Sequence, residues 1–399
     1  MGWAKSGRIS ASRHKRRATI FNVETMQLIN NLGARIAPYQ ARLEGAMSKV
    51  LSSGWLVLGP EVAQFEKAFA AYIGLGHCIG VANGTDAIEL ALRSLGVQAG
   101  DQVATVANAA MYTTNAVLAI GAVPLFMDVA EDSACATLAQ VERAIDAGAR
   151  VVVVTHLYGR IAAGIDEIAA LCRRRGIALL EDCAQCHGAQ VGGRRAGSFG
   201  NIAAFSFYPT KNLGALGDGG AVLTDDTGLA AKVRQLRQYG WGAKYEVSVP
   251  GGRNSRLDEL QAAILSVFLP DLDGANERRR QIAARYASRI DHPRVSLPAF
   301  GGTEYVAHLY VVRCSQRDSL ARHLKASQVA SDVHYPIPDH RQPFFDGAYA
   351  DISLPVTELL AGEVLTLPCY PEMTDGEVDQ VALAVNAWQC EADDDKGVH

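Results

Sequence analysis

The sequence lacks an excess of either charge: 38 lysines and arginines stand against 42 aspartates and glutamates, for a formal net charge of -4. Such a balance supplies no global attraction for nucleic acid or an anionic membrane, so neither is expected as a partner and any anionic ligand must be held locally. No run of about eighteen uncharged apolar residues occurs either, so no membrane span is predicted. Cysteine is sparse, with eight in 399 residues. They are scattered through apolar or helical stretches instead of forming the framework of a small secreted protein, which reads as reduced thiols in a cytoplasm. Cys183 and Cys186 make a CxxC, but no second CxxC or paired histidine follows at zinc spacing. They read as small buried residues, and no metal is expected.

The basic start (Lys5, Arg8, Arg13, Lys15, Arg16, Arg17) is followed by no apolar run that could form the core of a signal peptide. Residues 1–28 read as a basic disordered tail and EADDDKGVH (391–399) as an acidic one.

What is present, 49% hydrophobic and 20% charged residues, suits one large or two ordinary globular domains. From Thr85 to about Leu223 short apolar runs alternate with helical periods, the pattern of a parallel sheet wrapped by helices. Ligands of such sheets bind beyond the carboxyl ends of the strands. His156, Asp182 and Ser206 fall at or just after the ends of VVVVTH, IALLED and IAAFS. After Ser255 a long helical stretch is interrupted by Pro270 and leads into a further strand and helices, read as a smaller α/β domain joined through a kinked helix. The expected division is 29–265 for the large domain and 266–390 for the small one.

Three local patterns carry chemistry. In VANGTDAIELAL a strand passes through Asn83, Gly84 and Thr85 into a helix. Exposed amides and the helix dipole there form a phosphate seat, or Thr85 simply caps the helix. Asp182 closes an apolar strand, where a carboxylate is costly to bury without a cation. It either pairs with a cationic ring nitrogen or caps the following turn. Lys211 lies in SFYPTKNLGALGDGGAV, after Ser206 and Pro209 and among Gly214, Gly217, Gly219 and Gly220. In a partly desolvated pocket its amine becomes a nucleophile and proton carrier near neutral pH; otherwise it is a solvated loop lysine. The glycines would let backbone approach a flat ligand.

Together with SSGWLVLGPEVAQFE, EDCAQCHGA, NSRLDELQAA and HYPIPDHRQP, these blocks resemble the DegT family of fold-type I, pyridoxal-phosphate-dependent sugar aminotransferases, from about Ile29 to Trp388. The resemblance implies an aspartate aminotransferase-like α/β fold, with a mostly parallel seven-stranded sheet and a smaller C-terminal α/β domain. It implies that Lys211 forms the Schiff base with the cofactor, that Asp182 pairs with the pyridine nitrogen and that Gln185 contacts the ring or its hydroxyl. Gly84, Thr85 and Ser206 would hold the phosphate, with Asn254 reaching it from the neighbouring subunit of a homodimer. Arg256 is a candidate for a donor carboxylate, or else pairs with Asp258 or Glu259. Where the family usually stacks an aromatic residue on the cofactor, alignment puts Ala110, and Met111 and Tyr112 are alternatives.

The implied reaction takes an amino group from L-glutamate, by way of pyridoxamine phosphate, to a nucleotide-linked keto sugar. The loop HYPIPDHRQP resembles that of members that aminate C3 of deoxy keto sugars, with Asp339 replacing a leucine. In it Tyr335, His340 and Arg341 either meet the nucleotide or diphosphate or belong to a surface turn. The alternatives are amination at C4 or of an inosose, and, from another class, a regulator that binds the cofactor without turnover.

Overall fold

The computed structural model describes residues 26–299 and 301–390. The acidic end at 391–399 and the first 25 residues of the basic tail lie outside them. Gln27, which sequence reasoning put in that tail, is instead tied to the body of the protein. Its N–H donates to the Gln328 carbonyl at 2.8 Å and its carbonyl accepts from the Ala330 N–H at 2.9 Å.

The alternating signals condense into one seven-stranded sheet. Its first strands are β1 (His77–Val81), β2 (Gln102–Val106), β3 (Val123–Met127), β4 (Val151–Thr155) and β5 (Ala178–Asp182). A short hairpin, β6 (Gln190–Val191) and β7 (Arg194–Arg195), precedes β8 (Ile202–Ser206) and β9 (Gly220–Thr224). The order is β1-β9-β8-β5-β4-β2-β3, with β9 antiparallel to both neighbours and every pairing from β8 across to β3 parallel. Runs such as VVVVT carry no polar face because the sheet is covered on both sides. Val152 and Val154 enter one buried cluster, while Val151 and Val153 enter another.

This topology assembles the site. Adjacent β5 and β8 put Asp182 and Ser206 at neighbouring carboxyl ends, and β9 brings β1 and the helix it feeds, Gly84–Ser94, beside them. The approach is too close for side chains: a Cβ on Gly84 would lie 2.6 Å from the Ser206 Cβ, and one on Gly220 2.3 Å from the Asn83 carbonyl oxygen.

A second hairpin, β10 (Trp241–Ala243) and β11 (Glu246–Val247), projects after the sheet. The long helical stretch breaks around Pro270 into Glu259–Phe268, a tight turn Leu269–Asp271, and Leu272–Arg289, because proline has no N–H for the helical ladder. Beyond it β12 (Tyr310–Arg313) and β13 (Val364–Leu367) pair antiparallel. They share a separate buried cluster with Tyr286, Val381 and Trp388. All eight cysteines are free thiols, seven of them buried.

Candidate active site

Lys211 occupies the turn after β8. Its N–H donates to the Tyr208 carbonyl at 2.8 Å, and the Ala215 N–H reaches back to the Phe207 carbonyl at 2.8 Å. The turn is braced by a residue sequence reasoning missed. The Arg35 guanidinium donates to the carbonyls of Pro209, Lys211 and Gly214 at 3.1, 3.2 and 3.2 Å and lies 4.5 Å over the Phe268 ring. Burial brings its pKa down to about 10. The loop glycines, read as room for a flat ligand, meet protein: Pro209, Gln261, Leu257 and Asn83 lie against positions 214, 217, 219 and 220.

The charges are set by desolvation. Lys211 keeps some accessible surface, yet the protein around it lowers its pKa to about 8, against the opposing pull of Asp182. Burial raises the pKa of Asp182, while a hydrogen bond from the Ala184 N–H (3.1 Å), the Lys211 charge and the Thr155 hydroxyl (3.3 Å) act to lower it. A carboxylate so placed gains from a cation brought alongside.

At the start of the helix Gly84–Ser94 the cap is Asn83, whose side-chain oxygen accepts from the Asp86 N–H at 2.8 Å. Thr85 is therefore not needed as the cap, and the first-turn amides of Gly84 and Thr85 have no helical acceptor. Both residues line a cavity of about 850 Å3 together with Asp182, Gln185, Ser206 and Lys211. Tyr112, Tyr335 and His308 line it too. Gln185 is clamped: its Oε1 accepts from the Tyr158 N–H at 2.7 Å and its Nε2 donates to the Tyr335 hydroxyl at 3.0 Å.

Of the three residues left open for the aromatic position, Tyr112 is the one that reaches the cavity, with its ring edge-on to Tyr335 at 6.3 Å. Ala110 and Met111 take left-handed backbone, φ 57° and 64°, and turn the chain into the following helix. Asp339 pins that turn from the loop 334–343. Its Oδ1 accepts from the Met111 N–H at 2.8 Å, its Oδ2 from the Thr114 hydroxyl at 2.5 Å, and its own N–H donates to the Ala107 carbonyl at 2.7 Å. Burial raises its pKa to about 6.

Four predicted residues stand outside the cavity lining. His340 and Arg341 both engage Glu358, at 2.9 and 2.7 Å, and Arg341 also donates to the carbonyls of Ala350 and Ile352 at 3.0 and 2.9 Å. In the single chain they are the props of the 342–352 loop. Asn254 is exposed and Arg256 half-buried. The Glu259 carboxylate, one candidate partner of Arg256, instead accepts the N–H groups of Gly59, Glu61 and Val62.

His156 also serves structure. Its Nδ1 accepts from the Ala162 N–H at 3.1 Å, so its Nε2–H donates to Glu181 at 2.9 Å. Glu181 accepts from the N–H groups of Gly197, Phe199 and Gly200 as well. Cys183 lies close to this pair, but the oxygen and nitrogen lone pairs that a cation would need already accept hydrogen bonds.

Residues 39–386 match the DegT/DnrJ/EryC1/StrS aminotransferase family. The chain belongs to this family. It is 43% identical over 353 residues, 87% of this chain and 94% of the relative, to dTDP-3-amino-3,4,6-trideoxy-alpha-D-glucose transaminase of Micromonospora megalomicea. Among solved structures it resembles S. venezuelae DesV in complex with a ketimine intermediate, with 41% identity and a TM-score of 0.87 over 92% of this chain and 100% of that one. It also resembles NtdA of Bacillus subtilis with bound PMP, with 30% identity and a TM-score of 0.85 over 90% and 84% of the two chains. As a member of the DegT/DnrJ/EryC1/StrS family it is a pyridoxal-phosphate-dependent sugar aminotransferase. The cavity fits that cofactor. It offers a buried carboxylate for a cationic ring nitrogen, an amine with pKa about 8 for an aldehyde, and first-turn amides beside Ser206 for a phosphate.

Proposed function

We propose that this chain moves an amino group from L-glutamate to the C3 keto group of a nucleotide-linked deoxy keto sugar, in amino-sugar biosynthesis. The observation that carries the reading is the placement of Lys211 and Asp182 in one cavity, in a chain whose relative from Micromonospora megalomicea is named as a transaminase of a dTDP-3-amino sugar. Pyridoxal phosphate, when bound, supplies the electron sink that makes a carbon beside the nitrogen acidic.

The protein's own residues do the rest. Asp182 would keep the ring nitrogen protonated, Gly84, Thr85 and Ser206 would hold the phosphate, and Gln185 would meet the ring. Lys211 Nζ, as a free amine, would take the proton from the α-carbon of glutamate. Later it delivers one to the sugar carbon, which fixes the configuration of the product. A pKa of about 8 suits an amine that must work in both directions near neutral pH.

The working unit is read as a homodimer. Asn254 faces outward on a single chain, as a residue serving a second copy's phosphate must. Arg256 beside it is the proposed carboxylate fork. Tyr335 in the cavity is the proposed sugar contact, while His340 and Arg341 brace the neighbouring 342–352 loop. The part from about 266 to 390 is read as the small domain, and the free thiols point to the cytoplasm.

The test is direct. Purified protein should be yellow, lose its long-wavelength band on adding glutamate, and convert a 3-keto nucleotide sugar to an amine identified by mass and NMR. Lys211→Ala should abolish turnover with the fold retained. Conversion of 4-keto sugars or an inosose alone would overturn the C3 assignment. A protein indifferent to every amino donor would overturn the enzymatic reading.

A further inference from the structure

Next to Lys211, the side chains of Asn212, Asn276 and His308 form a buried run of hydrogen bonds whose direction is set by backbone carbonyls. Asn276 Nδ2 donates to the His187 carbonyl at 2.8 Å, so its Oδ1 is the acceptor for Asn212 Nδ2 at 2.8 Å. Asn212 Nδ2 also donates to the Val306 carbonyl at 3.2 Å. A carbonyl only accepts, so neither amide can be reversed without setting oxygen against oxygen. Asn212 Oδ1 therefore faces His308 Nδ1 at 2.9 Å, and that nitrogen carries the proton.

A neutral imidazole protonated at Nδ1 has a bare lone pair at Nε2. His308 lines the same cavity as Lys211. Its Nε2 has no hydrogen-bond partner among the described residues, yet it is not one of the sealed unpartnered atoms, so it opens on the cavity. Burial, aided by the charges of Lys211 and Arg279, drives the histidine pKa well below its usual range. The lone pair therefore persists at neutral pH.

We propose that His308 Nε2 accepts a hydrogen bond from a hydroxyl of the sugar substrate and so serves only one of the two substrates that share this cavity. The inference rests on the function proposed above. Glutamate, once its amine is engaged, presents two carboxylates and no donor, and a bare lone pair attracts neither. A keto sugar brings hydroxyl donors.

The test follows the two half-reactions separately in cofactor-loaded protein, using glutamate for the first and the 3-keto nucleotide sugar turned over by the parent for the second. In His308→Leu the glutamate-driven loss of the cofactor band should stay within about twofold of the parent. The concentration of keto sugar needed to restore the band should rise by roughly three- to tenfold, the worth of one neutral hydrogen bond. His308→Gln, whose side-chain oxygen can take the place of Nε2, should recover most of that loss. Equal losses in both halves, or an unaltered sugar half, would overturn the proposal. A parent protein that accepts no keto sugar at all would instead remove the reading beneath it. Nitrogen NMR of histidine-labelled protein gives a readout apart from turnover: the resonances lost in His308→Gln should be those of an Nδ1–H tautomer, and an Nε2–H pattern would refute the assignment.

Discussion

Replacing Asp339 by asparagine should make the protein more stable above pH 6 and leave it little altered near pH 4. The carboxyl group is buried, with one N–H and one hydroxyl as its hydrogen-bond donors, and burial outweighs both, raising its pKa from 3.8 to about 6. Between those values the folded protein holds the proton more tightly than the unfolded chain does. The contribution of this group to stability therefore falls as pH rises through the window. A shift of about two units is worth about 3 kcal/mol. Asparagine cannot ionise, and its oxygen can still accept the Met111 N–H while its amide donates to the Thr114 oxygen. Thermal unfolding midpoints of parent and variant, measured from pH 4.5 to 8, give the answer as a difference. The gap should open with rising pH in favour of the variant, by a few degrees at pH 7.5. A variant less stable than its parent at pH 7.5, or a gap that ignores pH, would refute the reasoning.

Lys211 in protein stripped of cofactor should react with an amine reagent along a titration curve centred near pH 8, and Asp182→Asn should move that midpoint lower because the carboxylate is what holds it up; competitive labelling read by mass spectrometry checks both. Arg35→Met removes the donor to three carbonyls of the Lys211 turn, and kcat should fall by roughly tenfold to a hundredfold at saturating substrates. A loss confined to thermal stability would show that the brace does not position the amine. Glu181→Gln sets an amide against N–H groups of the loop 197–200 or the Nε2–H of His156, and should cost about 3 kcal/mol in denaturant unfolding. A cost below about 1 kcal/mol would mean that water or a shifted loop takes over.

Strand ends and helix starts are local features, and so they are visible in the linear chain. Gly84, Thr85, Asp182, Ser206 and Lys211 could each be read from the few residues around them, Gln185 came only from the family resemblance, and the sheet order then draws all six to one cavity. Arg35 was not readable, because its work is done on carbonyls more than 170 residues away and LGARI carries no mark of it. Asp339 stood out in the sequence only as a departure from leucine; its bonds to Met111 and Thr114 span 228 and 225 residues. For His340 and Arg341 the sequence left a ligand contact and a surface turn open, and the partner they share in the fold, Glu358, lies 18 and 17 residues further along the chain. The glycines after Lys211 were legible as close approaches, but what approaches them is the protein itself.

The distribution of thiols gives the protein a ready attachment point. Seven sulfurs are buried; burial drives Cys78, Cys183 and Cys186 well above the range in which a thiolate forms and pushes Cys369, which lines the cavity, up to about 11, which leaves them poor targets for maleimides. Cys390 alone keeps partial access to water, after the last helix and away from the cavity lining. A dye, a spin label or a surface tether offered to the native enzyme would therefore settle at that one end, with the catalytic machinery left unmodified and no cysteine needing to be engineered away.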